Sequence, residues 1–266
     1  MNCKRIITLT TDFGYKDPFA GEMKGVILSI NPDATLVDMT HEVAPRAIEE
    51  GAFVIGTSCR YFPQGTIHVA VVDPGVGSQR RAIIAEADGN YFVGPDNGIF
   101  SYIMSSAKSI KVVQITEEKY MLSAHSPTFQ GRDVFAPAAA WLSRGLGVEE
   151  FGRTIHDFRV FKIPAPVAEG NRISGSVIYI DRFGNAVTTI RESDLPGLRE
   201  DIRVEAKGKE IPFLEYYSQA PEHDLSCLVN SSGYLELFVN SGSASTIHNI
   251  RKGEPVIVRR SHEKLP

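Results

Sequence analysis

Residues 5–10 are, after Arg5, all β-branched or apolar and are followed by a polar turn, the pattern of a short buried strand. Phe19, Met23, Val26, Ile27 and Ile30 then recur at helical spacing, and Asn31-Pro32 stops the run. The same reading predicts strands over 35–38, 66–72, 81–86 and 91–93. It predicts helices over 47–61, ended by the turn Phe62-Pro63-Gln64-Gly65, over 97–105, and over 134–142, the last with an alanine-rich face. Strands alternating with helices imply an α/β layer built on a mostly parallel sheet.

After Ile155 the periodicity changes. Lys162-Ile163-Pro164-Ala165-Pro166 reads as a linker, and helical spacing largely disappears beyond it. Short strands are predicted over 173–180, 186–190, 202–206, 227–229, 234–239 and 255–259, joined by Gly, Asn and Ser turns. Strands so spaced make a small antiparallel barrel or sandwich. The expected organisation is an α/β N-terminal domain over 1–163, a linker over 164–171 and a smaller all-β, barrel-like C-terminal domain over 172–266.

Composition narrows the classes of partner. The 266 residues are 42% hydrophobic and 23% charged, enough apolar surface for ordinary globular cores. A formal net charge of -4 argues against a nucleic-acid partner, whose phosphates call for a basic surface. Cys3, Cys59 and Cys227 lie far apart, which suits neither a zinc site nor a disulfide framework and points to a reducing cytoplasm. The N-terminal run is too short for a signal peptide, and no uncharged apolar stretch approaches the roughly 18–20 residues of a membrane helix.

Three segments of the first domain could carry chemistry. Thr11-Asp12-Phe13-Gly14 follows the first strand, at the sheet edge where ligands bind in open α/β folds. Asp12 there is either a turn or cap residue or an acceptor for two neighbouring hydroxyls, and Asp17 reads as a cap. Asp73-Pro74-Gly75-Val76-Gly77-Ser78, followed by Arg80 and Arg81, is either a glycine turn with a surface ion pair or an aspartate kept ionised by an arginine and able to polarise water. It lacks the GxxxxGK[ST] spacing of a P-loop, and the chain has no GxSxG elbow. Thr128-Phe129-Gln130-Gly131-Arg132-Asp133 leads into the alanine-rich helix; Asp133 suits an N-cap, Phe129 is core or an apolar wall, and His125 lies just before. In the second domain, Asp181-Arg182-Phe183-Gly184-Asn185 and Asn230-Ser231-Ser232-Gly233 are ordinary hairpin chemistry, although Phe183 and Asn185 also suit the face and edge of adenine. No His and Cys cluster argues for a metal.

TTDFGYKDPFAGEMKG, VDPGVGSQRR, GPDNGIF, TFQGRDVFAPAAA, IYIDRFGNAVTTI and NSSGYLELFVN, in this order from residue 10 to about 240, resemble the S-adenosylmethionine hydroxide adenosyltransferase family. That family is related to the adenosylmethionine-dependent fluorinase and chlorinase. The resemblance implies an α/β domain followed by a β-rich one, and a homotrimer whose active sites lie between the N-terminal domain of one subunit and the C-terminal domain of the next. It implies that Asp12 holds the ribose diol, that Phe183 and Asn185 engage adenine with backbone near Ser241, that Asp181, Ser231 and Asp17 bind the amino-acid portion, and that Phe129 lines the pocket near the sugar. The substrate it implies is S-adenosyl-L-methionine, and it implies no metal or other cofactor.

Position 73 separates the branches of the family. The halogenases have tyrosine there, whereas hydrolase-like members pair an aspartate with an arginine seven residues on, here Asp73 and Arg80. The fluorinase also has serine at the position of Gly131 and a long insertion that this chain lacks. The resemblance therefore implies hydrolysis to adenosine and methionine, with a halogenase or a non-catalytic binding protein as the alternatives. One position departs from the hydrolases' usual TFHGRD: the histidine is Gln130 here. Glutamine can orient a water but cannot exchange a proton near neutral pH, so Gln130 is expected to orient, with His125 the other group within sequence reach.

Overall fold

The computed structural model describes residues 6–124, 126–195 and 202–260; His125 and Cys3 lie outside them. The chain divides into two compact units, with the boundary between Ile163 and Pro164.

The first unit holds a seven-stranded sheet in the order β2-β1-β3-β5-β4-β6-β7. Its strands are β1 (Ile6–Thr11), β2 (Thr35–Thr40), β3 (Ile67–Val71), β4 (Ala82–Ala87), β5 (Asn90–Pro95), β6 (Ile110–Gln114) and β7 (Thr154–Ile155). β1, β2, β3 and β5 run parallel, whereas β4 is antiparallel to both β5 and β6. The sheet is thus mixed but mostly parallel. Alternation along β3 shows why it is covered on both faces: Ile67, Val69 and Val71 join one core, while Ala70 and Val72 join another. Helices α1 (Phe19–Ile30) and α4 (Ala136–Ser143) cover the first face, and α2 (Ile48–Ser58) and α3 (Ser101–Ser106) the second.

Local chemistry accounts for the boundaries that the pattern misplaced. α3 begins four residues later than predicted, because the Asn97 carboxamide accepts from Ile99 N–H and Gly98 is left-handed at φ +99. The β4–β5 hairpin turns on Asp88-Gly89, both with positive φ, and the Asp88 carboxylate also accepts from the N–H groups of Lys108 and Ser109. The last helix opens with a π-helical turn, Gly131–Phe135, in which Ala136 N–H reaches back to the Gly131 carbonyl. Pro137 has no N–H for the Asp133 carbonyl, which accepts from Leu122 N–H at 3.0 Å instead.

The second unit is a nearly closed antiparallel barrel. Its strands are β8 (Val167–Glu169), β9 (Arg172–Ile180), β10 (Ala186–Arg191), β11 (Ile202–Ala206), β12 (Lys209–Ile211), β13 (Leu225–Val229), β14 (Tyr234–Val239) and β15 (Pro255–Arg260), in the order β12-β11-β15-β9-β10-β14-β13 with β8 on β9. The free edges of β12 and β13 are tied by Leu214 N–H to the Cys227 carbonyl and by Cys227 N–H to the Pro212 carbonyl. Residues 167–169, in the segment read as a linker, pair with β9 across the turn Gly170-Asn171, where Gly170 supplies φ +60. A single apolar core fills the barrel.

Inside the first unit, His68 of β3 is 1% exposed, hydrogen-bonded to the Thr8 hydroxyl at 2.8 Å and stacked on Phe92. Burial lowers its pKa to about 4. The unfolded chain therefore binds a proton that the folded chain refuses, and the stability from neutral His68 is full above about pH 6.5 and lost as pH falls towards 4. Urea unfolding at pH 7 and pH 4.5 will show this loss, on the order of 3 kcal/mol at its limit. The pair Thr8→Val with His68→Phe removes both polar groups and is expected to flatten that part of the acid limb.

Candidate active site

The chain order of the first sheet creates a crevice at one place. β1 leads through α1 to β2 on one side, and the connection through α2 then brings β3 to the other side of β1. Strand order reverses between β1 and β3, and their carboxyl ends open outward at this switch point. Thr11 and Val71 are partners in the ladder, so Asp12 and Asp73 leave the sheet side by side.

Asp73 and Arg80 form a buried ion pair, with side chains only 5% and 6% exposed. Arg80 Nε donates to Oδ1 at 3.0 Å and to Oδ2 at 2.9 Å, and its Nη2 also donates to Oδ2. The guanidinium lies over the Phe135 ring, 5.4 Å from its centroid. Between the partners the chain turns tightly, with Val76 N–H on the Asp73 carbonyl and Ser78 N–H on the Gly75 carbonyl. A side chain at Gly75 would make only ordinary contact with Arg80 and Asp73, whereas Gly77 is left-handed at φ +78 and a Cβ there would press on the Pro127 carbonyl. The surface ion pair allowed by spacing alone is therefore replaced by a desolvated one.

Asp12 is held from outside its own loop. Its Oδ2 accepts from Arg46 N–H at 2.7 Å, and Gly14 N–H and Val43 N–H bond across the same two segments. Arg46 presents that N–H in a left-handed conformation, φ 67. Behind the loop, buried His41 bonds the Thr11 hydroxyl at 2.8 Å, and its Nε2 stands 3.1 Å from Asp38 Oδ1. Asp17 is exposed and caps nothing: Pro18 occupies the cap position of α1 without a side-chain hydrogen bond.

Phe129 joins Phe13 and Phe19 in an edge-to-face triad with centroids 5.3–5.8 Å apart. Gly131 sits where any side chain would meet Phe129, Met23 and Phe13. Arg132 lies over Phe129 and pairs with Asp133 and Glu22. Asp133 is fully buried and accepts from Ser126 N–H at 2.6 Å, so it ties down the loop before the helix rather than capping it. Gln130 is half-buried, directly before the π turn, and among the described residues no group bonds its amide. Asp12, Asp73, Arg80, Phe129 and Gln130 thus gather at one edge. Phe13 and Phe19 pack on Phe129 at this edge and Arg46 holds Asp12; sequence places Phe19 only on the helical stripe and gives no sign of Arg46, because a backbone N–H at positive φ leaves no compositional trace.

The second unit places its candidates on two turns. Asp181 is spent largely on its own loop: Oδ1 accepts from the N–H groups of Phe183 and Asn185, and Oδ2 from the Asn185 carboxamide at 3.2 Å. The result is a fixed hairpin with Asn185 buried and Phe183 76% exposed. Gly184, at φ +85, packs on Ser243, and Ser245 N–H bonds its carbonyl. Ser241 is itself left-handed at φ 57, and Ser231 is exposed on the 230–233 turn. Among the described residues no group of three His, Cys, Asp or Glu side chains could hold a metal ion, and no helix is long and apolar enough to cross a membrane.

Residues 7–152 match the family model of the SAM hydroxide adenosyltransferase N-terminal domain, and residues 175–257 that of the C-terminal domain. The chain is 37% identical to the (R)-S-adenosyl-L-methionine hydrolase of Methanocaldococcus jannaschii, with 92% of each chain covered. It is 34% identical to that of Thermus thermophilus, over 95% of this chain and 98% of the relative. The fluorinase of an Actinoplanes species is 27% identical over 98% of this chain and 99% of its own. A solved structure of an uncharacterized conserved protein from Thermotoga maritima, 33% identical, superposes with a TM-score of 0.89 over 96% of this chain and 100% of that one.

Burial of the Asp73–Arg80 pair makes each partner dependent on the other. Asp73→Asn or Arg80→Met alone is expected to cost about 3–5 kcal/mol in urea unfolding, because either leaves a buried group uncompensated. The double variant is expected to lose clearly less than the sum.

Proposed function

Because this chain belongs to the S-adenosylmethionine hydroxide adenosyltransferase family, we propose that it hydrolyses S-adenosyl-L-methionine to adenosine and L-methionine. The observation that carries the reading is the buried Asp73–Arg80 pair at the mouth between β1 and β3. An aspartate at this position would repel a halide, whereas the pair can hold and polarise a water. The higher identity to the two hydrolases than to the fluorinase supports the same choice.

In the proposed reaction a water oxygen attacks C5′ of the ribose opposite the sulfur. The O–C5′ bond forms as the C5′–S bond breaks, its electron pair stays on sulfur to give neutral methionine, and the water releases its proton to solvent. Arg80 stabilises hydroxide character on the attacking oxygen; Asp73 orients that oxygen and offsets the arginine's charge. Gln130 orients the same water through its amide. Asp12 accepts from the ribose hydroxyls through the oxygen that Arg46 leaves open, and Phe129 borders the sugar. Phe183 and Asn185 take the adenine, with backbone near Ser241. Asp181, Ser231 and Asp17 hold the amino-acid end.

These assignments divide between the two units, and we propose a homotrimer in which each site draws on the first unit of one copy and the second unit of another. No further cofactor is invoked. Buried free thiols at Cys59 and Cys227 support a reducing, cytoplasmic setting.

The test is incubation with the separated sulfonium epimers of S-adenosyl-L-methionine and chromatography of the products. Adenosine and methionine are expected without added halide, faster from the (R) epimer that the relatives' names specify. Asp73→Ala and Arg80→Ala are expected to lower kcat by about 10²-fold or more while substrate still binds. A halide-dependent 5′-halo product would place the chain with the halogenases. Tight binding without turnover would make it a binding protein.

A further inference from the structure

Alternation along β14 sends Leu235, Leu237 and Val239 into the barrel core and Tyr234, Glu236 and Phe238 to the other face. That face is covered. Phe238 packs with Ala220 and Leu228, and the Tyr217 ring meets Phe238 edge-on at 4.8 Å. Glu236 lies beneath this cover, 4% exposed.

Its carboxylate has two donors. Tyr217 Oη donates to Oε1 at 2.8 Å, and the Asn230 carboxamide donates to Oε2 at 2.9 Å. Asn230 then uses its own oxygen to accept from Ser232 N–H at 3.0 Å and Tyr234 N–H at 3.1 Å. An amide has one accepting and one donating end. Glu236 takes the donating end, and this leaves the oxygen facing the turn. Flipping the amide would point NH₂ at two backbone donors. Burial, with the charge of Asp181 adding to it, holds the Glu236 pKa above the usual carboxylate range against the lowering bonds from Asn230 and Tyr217.

We propose that Glu236 is a positioning residue for substrate binding: through Asn230 it fixes the 230–233 turn and so the placement of Ser231 against the amino-acid end of the substrate. The inference rests on the reading above, in which Ser231 meets that end. A hairpin turn needs only its glycine and the asparagine; the buried acid behind them adds a defined orientation. The effect belongs to the amino-acid end, because adenine and ribose are assigned to other loops.

Calorimetry with S-adenosyl-L-methionine and with adenosine, which lacks the amino-acid portion, separates this role from a general structural one. Glu236→Leu is expected to weaken S-adenosylmethionine binding about tenfold and leave adenosine affinity unchanged. Asn230→Ala, which leaves the packed face intact, is expected to do the same. Glu236→Gln should rescue, since its oxygen can still accept from Asn230 while the Tyr217 hydroxyl accepts from its amide. Equal losses for both ligands, or an unchanged S-adenosylmethionine affinity in Glu236→Leu and Asn230→Ala, would overturn the proposal. A wild type that binds adenosine but neither binds nor turns over S-adenosylmethionine would defeat the functional reading itself, and this inference with it.

Discussion

Taking a carboxylate and a guanidinium out of water together constrains everything around the β1–β3 mouth. Desolvating either ion alone costs several kcal/mol or more, and only close mutual geometry repays it. Asp73 and Arg80 meet that demand with three nitrogen–oxygen contacts and a ring face beneath the guanidinium. Six residues separate the partners, so the chain must double back within them. Gly77 takes the left-handed turn that this reversal requires. The left-handed glycine and the turn bonds bring Arg80 back onto Asp73, and the ion pair in turn ties the two ends of the loop together.

The neighbouring loops are also held by atoms other than those they present outward. Arg46 N–H occupies one oxygen of Asp12, and Asp133 draws in Ser126 N–H. In the second unit Asp181 accepts from its own hairpin, and Asn230 from its own turn. Each device spends polar groups on backbone N–H donors that would otherwise be unpaired at a turn. What remains exposed is a small set of side chains on fixed backbone, Phe183 being the clearest. Such preorganisation limits the reorganisation needed when charge changes place.

Much of this was legible in the sequence, and the rest fails for identifiable reasons. Strands buried on both faces, such as β1 and β3, show as continuous apolar runs, and α1 shows as a stripe through Met23 and Ile27. β6, with Lys111 and Gln114 interrupting its apolar run, and the short edge strands β7, β8 and β12 carry too little pattern to register. The π turn, and the Asp133 carbonyl that Pro137 leaves without a helical donor, are visible only once the helix exists. In Tyr-Leu-Glu-Leu-Phe, alternation correctly turns Glu236 away from the barrel core, but nothing local reveals that residues 214–220 cover it. For the hairpin 181–185, sequence offers turn chemistry, with adenine contacts by Phe183 and Asn185 as the other reading, and it gives Asp181 a substrate contact only through the family resemblance. The structure shows the turn role outright, and the carboxylate that makes that turn is also what holds Phe183 outward.

The same geometry bears on how the proposed reaction could proceed with glutamine at position 130. Both oxygens of Asp73 already accept from Arg80, and a carboxamide cannot take up a proton near neutral pH. General-base strength is therefore scarce at this edge among the described residues. A sulfonium substrate asks for little of it, because sulfur leaves as a neutral thioether and no acid need protonate it. The barrier then lies in bringing a weak nucleophile into line with the C5′–S bond and stabilising the charge it gains, a task for fixed dipoles and a desolvated cation. Arg80, paired with Asp73 and lying over Phe135, is the cation that the proposed reaction would use, and in that proposal fixed geometry takes the place of a titrating histidine.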